Sequence, residues 1–360
     1  MVPFRSPLRP AILVLLLFLT AAAHAAPSKV GTVVTERFTS EILRTNRVGL
    51  NLERSVSIYL PPGYREGNKS YPVIYYFHGL GWSNERMFSE EDSPRALFDR
   101  AISKGTIDEF IFVAADYSSP TLGSWFENSP TSGMWLDYTI KEVIPFVESR
   151  FRTIKHRDSR AVVGEFTGGY GALKLAMMHP DLFSVVYALH PVGTGSGLTP
   201  MHTVVDWKRL HEVKRFEDLS SVDYYSPGFV AMSQAYLPNP DRPPFYCDFI
   251  VELENGEPVV NVENLEKLQA RFLLDRLLPA YTANLRRLRG IAFDWGRYDR
   301  TQSHVYSNQA FTRALDNLGI EHSAEEYNGN HYEKNWIEHG RVEARMLPFV
   351  GRLLRFESER

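Results

Sequence analysis

Ala161-Val162-Val163-Gly164-Glu165-Phe166-Thr167-Gly168-Gly169-Tyr170-Gly171-Ala172-Leu173 is the stretch on which the fold turns. An apolar run ends at Gly164, a short turn follows, and Gly168, Gly169, Gly171 and Ala172 open the next element with almost no side chain. That is the pattern of a buried strand, a sharp turn and a helix that must approach the sheet closely. Similar short apolar runs recur outward from it at 73–77, 110–115, 185–189 and 291–295, and the run 160–163 leads into the quoted stretch. Near-continuous apolar strands suit a parallel sheet covered on both faces. A helical stripe at Ile140, Val143, Ile144, Val147 and Phe151 separates two of them. Strand and helix alternate in this way along most of the chain, so we expect an α/β fold with a mostly parallel central sheet and helices on both faces. Before the first run, residues 31–61 alternate with period two and predict two antiparallel strands ended by Pro61-Pro62-Gly63.

The 360 residues are 44% hydrophobic and 13% aromatic, enough for one large core. Residues 1–25 have the form of a secretory signal: Arg5 and Arg9, an apolar stretch over 11–22, and a small-residue cleavage site at Ala23-His24-Ala25. The expectation is an exported protein, secreted or periplasmic, with a single domain over 26–360 and no membrane span once the signal is removed. Cys247 is the only cysteine, which excludes an intramolecular disulfide and a thiolate metal cluster. A formal charge of −3 gives no reason to expect nucleic acid or an anionic membrane as partner. From about 192 to 290 the rhythm breaks into a stretch rich in proline, tyrosine and charge, read as an insertion over the sheet edge of the kind that forms lids or binding loops.

The quoted turn has the setting of a nucleophile elbow, in which G-x-S-x-G places a serine at the centre. Here the centre is Phe166. Around it stand Leu60-Pro61-Pro62-Gly63-Tyr64, Phe77-His78-Gly79-Leu80-Gly81, Gly123-Ser124-Trp125-Phe126-Glu127-Asn128-Ser129-Pro130 and Asn328-Gly329-Asn330-His331. With these segments in this order the chain resembles the secreted esterase family that includes S-formylglutathione hydrolase, feruloyl esterases and mycolyltransferases, which implies the α/β-hydrolase fold. The resemblance makes His331 the general base and Asp299 the acid that orients it, with Asp294 as the alternative acid, set inside a strand and better suited to a structural hydrogen bond. It also points to the backbone N–H groups of Leu80 and Thr167 as an oxyanion hole.

Phenylalanine offers no nucleophilic atom, so the acyl-enzyme route is closed. A bulky residue at a strained turn either relaxes the turn or fills the pocket. Thr167 is out of frame to replace the serine, and Glu165 belongs to the strand end and points elsewhere. His331 and His339 lack the spacing of a zinc motif, and neither metal nor cofactor is expected. The expectation is a pseudo-esterase that binds a small ester-like ligand or a partner without efficient turnover. The alternative is a hydrolase or acyltransferase in which His331 and Asp299 activate water, acting on aryl or sugar esters, to which Trp82, Trp125 and Trp135 point.

Overall fold

The computed structural model describes residues 30–89, 94–197 and 200–356. The segment 1–25, expected to be a signal, lies outside the described residues. Eight strands form one sheet: β1 (Thr32–Thr39), β2 (Glu53–Leu60), β3 (Val73–Phe77), β4 (Ile111–Ala115), β5 (Arg160–Glu165), β6 (Val185–Leu189), β7 (Gly290–Gly296) and β8 (Ser323–Tyr327). Their order is β1-β2-β4-β3-β5-β6-β7-β8. β2 runs antiparallel to β1 and to β4, and every other pairing is parallel. The apolar runs of the sequence are the central strands, and β3, β4, β5 and β6 are buried at every residue. That burial explains their lack of alternation, because helices cover both faces.

Two apolar clusters lie on the two sides of the sheet. One gathers α1 (Pro94–Ser103) and the C-terminal helical stretch through Phe98, Val342, Leu347 and Val350. The other, larger cluster takes in α2 (Thr167–Met178) and α3 (Gln302–Asn317) through Tyr170, Leu175, Val305 and Phe311. The predicted stripe is only partly continuous. Residues Tyr138–Val143 form a π-helical turn, Ile144–Arg150 continue as α-helix, and Phe151 is extended (φ −120°, ψ 151°), ending the helix. Val143, Ile144 and Val147 reach the core, while Ile140 and Phe151 stay half-buried.

The segment 192–290 is more ordered than its composition suggests. It contains helices at Trp207–Glu212, Ser226–Tyr236, Val262–Phe272 and Leu274–Leu285, and the hairpin Val251–Glu254 with Glu257–Val260. Trp207, Val230, Phe249 and Leu268 join the larger cluster, so the segment packs on the body of the fold. Its anchor on α2 is aromatic, with the Tyr170 and Phe272 ring centroids 5.0 Å apart. Beneath that contact Lys174 and Glu127 form a buried ion pair that also reaches the Tyr170 and Tyr236 hydroxyls. Strand β8 has no apolar run to announce it. It is an edge strand, and Glu325 and Glu326 face arginines instead of core. Among the described residues no helix is long and apolar enough to cross a membrane.

Candidate active site

In an open α/β sheet, function collects at the carboxyl ends of the strands. The β5–α2 turn lies there. Phe166 has φ 54° and ψ −114°, a conformation that a residue with a Cβ adopts only under strain. Its N–H donates to Leu189 O at 2.9 Å, and its carbonyl accepts from Tyr170 N–H at 3.0 Å, so the turn is pinned to β6 and to the first turn of α2. The glycines have a visible purpose. A Cβ on Gly168 would lie 2.0 Å from Phe77 O, and one on Gly164 would lie 2.3 Å from Gly168 O. Of the two outcomes open to a phenylalanine here, the turn has kept its strained form and the ring fills the space in front of it. The Phe166 ring lies 5.0 Å from that of His331, 5.3 Å from His304 and 5.6 Å from Tyr332.

Asp299 follows β7 and is buried, and His331 follows β8. What brings the two loops together is Gly296, where a Cβ would lie 2.3 Å from Asn330 O. Arg297 N–H donates to Tyr327 O and Tyr298 N–H to Gly329 O, both at 2.9 Å. The carboxylate of Asp299 then faces three imidazoles. Oδ1 accepts from Thr301 N–H at 2.9 Å. Oδ2 lies 2.6 Å from His190 Nε2, 3.0 Å from His304 Nδ1 and 3.4 Å from His331 Nδ1. Burial works to raise the Asp299 pKa, but the surrounding imidazoles, His190 first, outweigh it and hold the carboxyl well below the usual carboxylate range.

His190 and His304 are the site residues that sequence reasoning missed. His190 is the first residue after β6, at the crest where site residues gather, and that position was the available signal. It sits at φ 43° and is fully buried. Its Nδ1 accepts from Gly296 N–H at 2.9 Å, which places the ring proton on Nε2, toward Asp299. Burial lowers its pKa to about 4, so the ring is neutral at neutral pH. His304, five residues after Asp299 in the first turn of α3, carried no motif at all.

His190, Asp299 and His331 also bring three ligand-type atoms within 4.8 Å of one another. The proton on His190 Nε2 leaves that nitrogen no lone pair for an ion, so the trio does not fit a metal.

The Leu80 and Thr167 N–H groups have no protein acceptor among the described residues. The Leu80 turn is held from both sides. His78 Nδ1 bonds Gly79 O at 2.9 Å while its Nε2 accepts Tyr117 N–H at 3.1 Å, and Gly81 N–H donates to Leu122 O at 2.7 Å. Leu122 itself is at φ 72°. Over this turn lies Tyr332, whose hydroxyl would be 2.7 Å from a Cβ on Gly79.

Asp294 and Glu165 are elsewhere engaged. Asp294 accepts from the Tyr187 hydroxyl at 2.7 Å and from Arg341 Nε at 2.9 Å, a structural role. Glu165 accepts from the Tyr76 hydroxyl at 2.6 Å, Asn335 Nδ2 at 3.0 Å and Trp336 Nε1 at 3.1 Å, and turns away from Phe166. Trp125 and Trp135 are core residues, and half-buried Trp82 stacks under Arg86 at 4.3 Å. Tryptophan therefore gives no support to an aryl or sugar ligand.

Residues 48–226 match the Esterase family model, described as "Putative esterase". Esterase Rv1288 of Mycobacterium tuberculosis is 31% identical over 172 residues, 46% of this chain and 34% of that protein. Endo-1,4-beta-xylanase Y of Acetivibrio thermocellus is 31% identical over 112 residues, 31% of this chain and 10% of that protein. The chain thus spans about a third of the length of the first of these curated relatives and a tenth of the second. A ferulic acid esterase structure superposes with a TM-score of 0.61 at 20% identity, covering 90% of this chain and 98% of the other. The S-formylglutathione hydrolase from Agrobacterium tumefaciens does so at 0.60 and 14% identity, covering 92% and 98%. The chain belongs to the esterase family and is built on the α/β-hydrolase fold.

Proposed function

We propose that this protein is an exported pseudo-esterase, which keeps the frame of an ester-hydrolysing site and binds a small ester-like ligand or a partner there without efficient turnover. The observation that carries the reading is Phe166 at φ 54° and ψ −114°. The strained turn is preserved around a side chain that can neither attack an acyl carbon nor hold an acyl group. A strained residue at such a turn costs about 1–3 kcal/mol, a cost a merely structural loop would have shed. Leu80, Thr167 and Leu122 support the same reading, since the oxyanion turn is still braced although nothing in the site can generate the oxyanion. In this proposal Asp299 and His331 are the remnant acid and base. A serine-hydrolase site without its nucleophile retains only about 10³–10⁴ over water, from the hole and from binding.

The competing route, water activated by His331 on aryl or sugar esters, requires Asp299 to grip His331. The 3.4 Å separation, with His331 Nδ1 lacking a hydrogen-bond partner, speaks against it. The test is hydrolysis of p-nitrophenyl acetate by purified protein, together with labelling by a fluorophosphonate probe. Neither turnover at enzyme-like rates nor labelling is expected. Turnover that disappears in His331→Ala would refute the proposal.

A further inference from the structure

We propose that His304 is a positioning residue that takes Asp299 away from His331, so that the site is disarmed at the acid as well as at the elbow. The inference deepens the pseudo-esterase reading and rests on it for its rate arm alone. A carboxylate oxygen has two lone pairs in its plane, and Asp299 Oδ2 is approached by three ring nitrogens. His190 Nε2 is nearest at 2.6 Å and, with its ring proton on the side of the carboxylate, takes one of the lone pairs. His304 Nδ1 makes a hydrogen bond at 3.0 Å. His331 Nδ1, at 3.4 Å, is left without a hydrogen-bond partner although the atom is buried. The other oxygen is taken by Thr301 N–H, so Asp299 cannot rotate a free lone pair toward His331.

The chain holds this arrangement in place. His304 stands in the first turn of α3, whose entry is tied to Asp299 through the Thr301 N–H and through Gln302 Nε2, which donates to Asp299 O at 2.5 Å. Its carbonyl accepts from Asn308 Nδ2 at 2.9 Å, and Asn308 in turn bonds Pro191 O at 2.9 Å, next to His190. The Phe166 ring lies edge-on to His304 and tilted against His331, between the two imidazoles and the turn. In a working triad the acid holds the histidine in the right tautomer, and losing that contact lowers kcat by about 10⁴. Restoring a serine at 166 therefore leaves the base unoriented.

Two measurements decide the matter. In histidine-labelled wild-type protein, the strongly downfield Nδ1-bound proton of an imidazole hydrogen-bonded to carboxylate is expected to vanish in His304→Leu and to persist in His331→Ala. The reverse pattern overturns the proposal. In the Phe166→Ser background, adding His304→Leu is expected to raise kcat for p-nitrophenyl acetate at least tenfold, well inside the range such a contact commands. Adding His304→Asn instead, whose amide N–H takes the place of Nδ1–H, is expected to leave kcat near that of Phe166→Ser. Equal rates for Phe166→Ser and Phe166→Ser/His304→Leu, in protein with native circular dichroism, overturn it. Turnover by the wild type would sink the pseudo-esterase reading and still leave the proton assignment to judge this one.

Discussion

Replacing Phe166 by alanine and, separately, by glycine isolates the strain at the turn. Both variants lose the same ring contacts with His331, His304 and Tyr332, so their difference does not contain the packing loss. What differs is the Cβ, which at φ 54° and ψ −114° alanine keeps and glycine sheds. Relief of that strain favours glycine by about 1–3 kcal/mol. Against it stands the greater freedom of glycine in the unfolded chain, about 0.5–1 kcal/mol. The net expectation is Phe166→Gly more stable than Phe166→Ala by about 1 kcal/mol, the opposite of the usual order. Urea unfolding followed by circular dichroism gives both midpoints under one set of conditions. A glycine variant equal to or weaker than the alanine variant would mean that the turn is not strained, and the main support for a retained site would fall with it.

Gly168→Ala places a Cβ 2.0 Å from Phe77 O, a backbone atom that cannot move aside, and is expected to cost about 3 kcal/mol or more in a thermal or urea melt. Lys174→Met strands the buried Glu127 carboxylate and is expected to cost about 3–5 kcal/mol, while Lys174→Met/Glu127→Leu recovers most of it. If the double variant is no better than the single one, the loss does not come from a stranded buried carboxylate. The His190 pKa is depressed from 6.5 to about 4, so the unfolded chain binds the proton more readily between those values. Stability from this group is complete above pH 6.5 and lost as pH falls through about 4, by up to ~3 kcal/mol. His190→Gln is expected to flatten the urea midpoint across that window, and an unchanged slope would refute the assignment.

Much of the fold was legible because burial on both faces writes itself as short apolar runs, and five of the eight strands stand where those runs are. The β5–α2 turn was legible for a steric reason: only residues without bulk let α2 pass within contact of Phe77 and His78. Strand β8 was not, since an edge strand pairs on one side only and its glutamates are satisfied by Arg297, Arg341 and Arg345. Order within 192–290 was also hidden, because its apolar residues are spread over several short elements and find each other only once packed.

For the site, the sequence by itself determined which groups exist: Phe166 without a nucleophilic atom, Asp299 and His331 late in the chain, and backbone donors at Leu80 and Thr167 that no side chain can remove. Tertiary structure decided how they are shared. His190, Asp299, His304 and His331 come from three separate loops and a helix, and nothing in their spacing shows that three imidazoles meet one carboxylate oxygen. Hydrogen bonds compete for lone pairs in space, so the allegiance of Asp299 is settled by distances of 2.6, 3.0 and 3.4 Å that appear only when the strands are aligned.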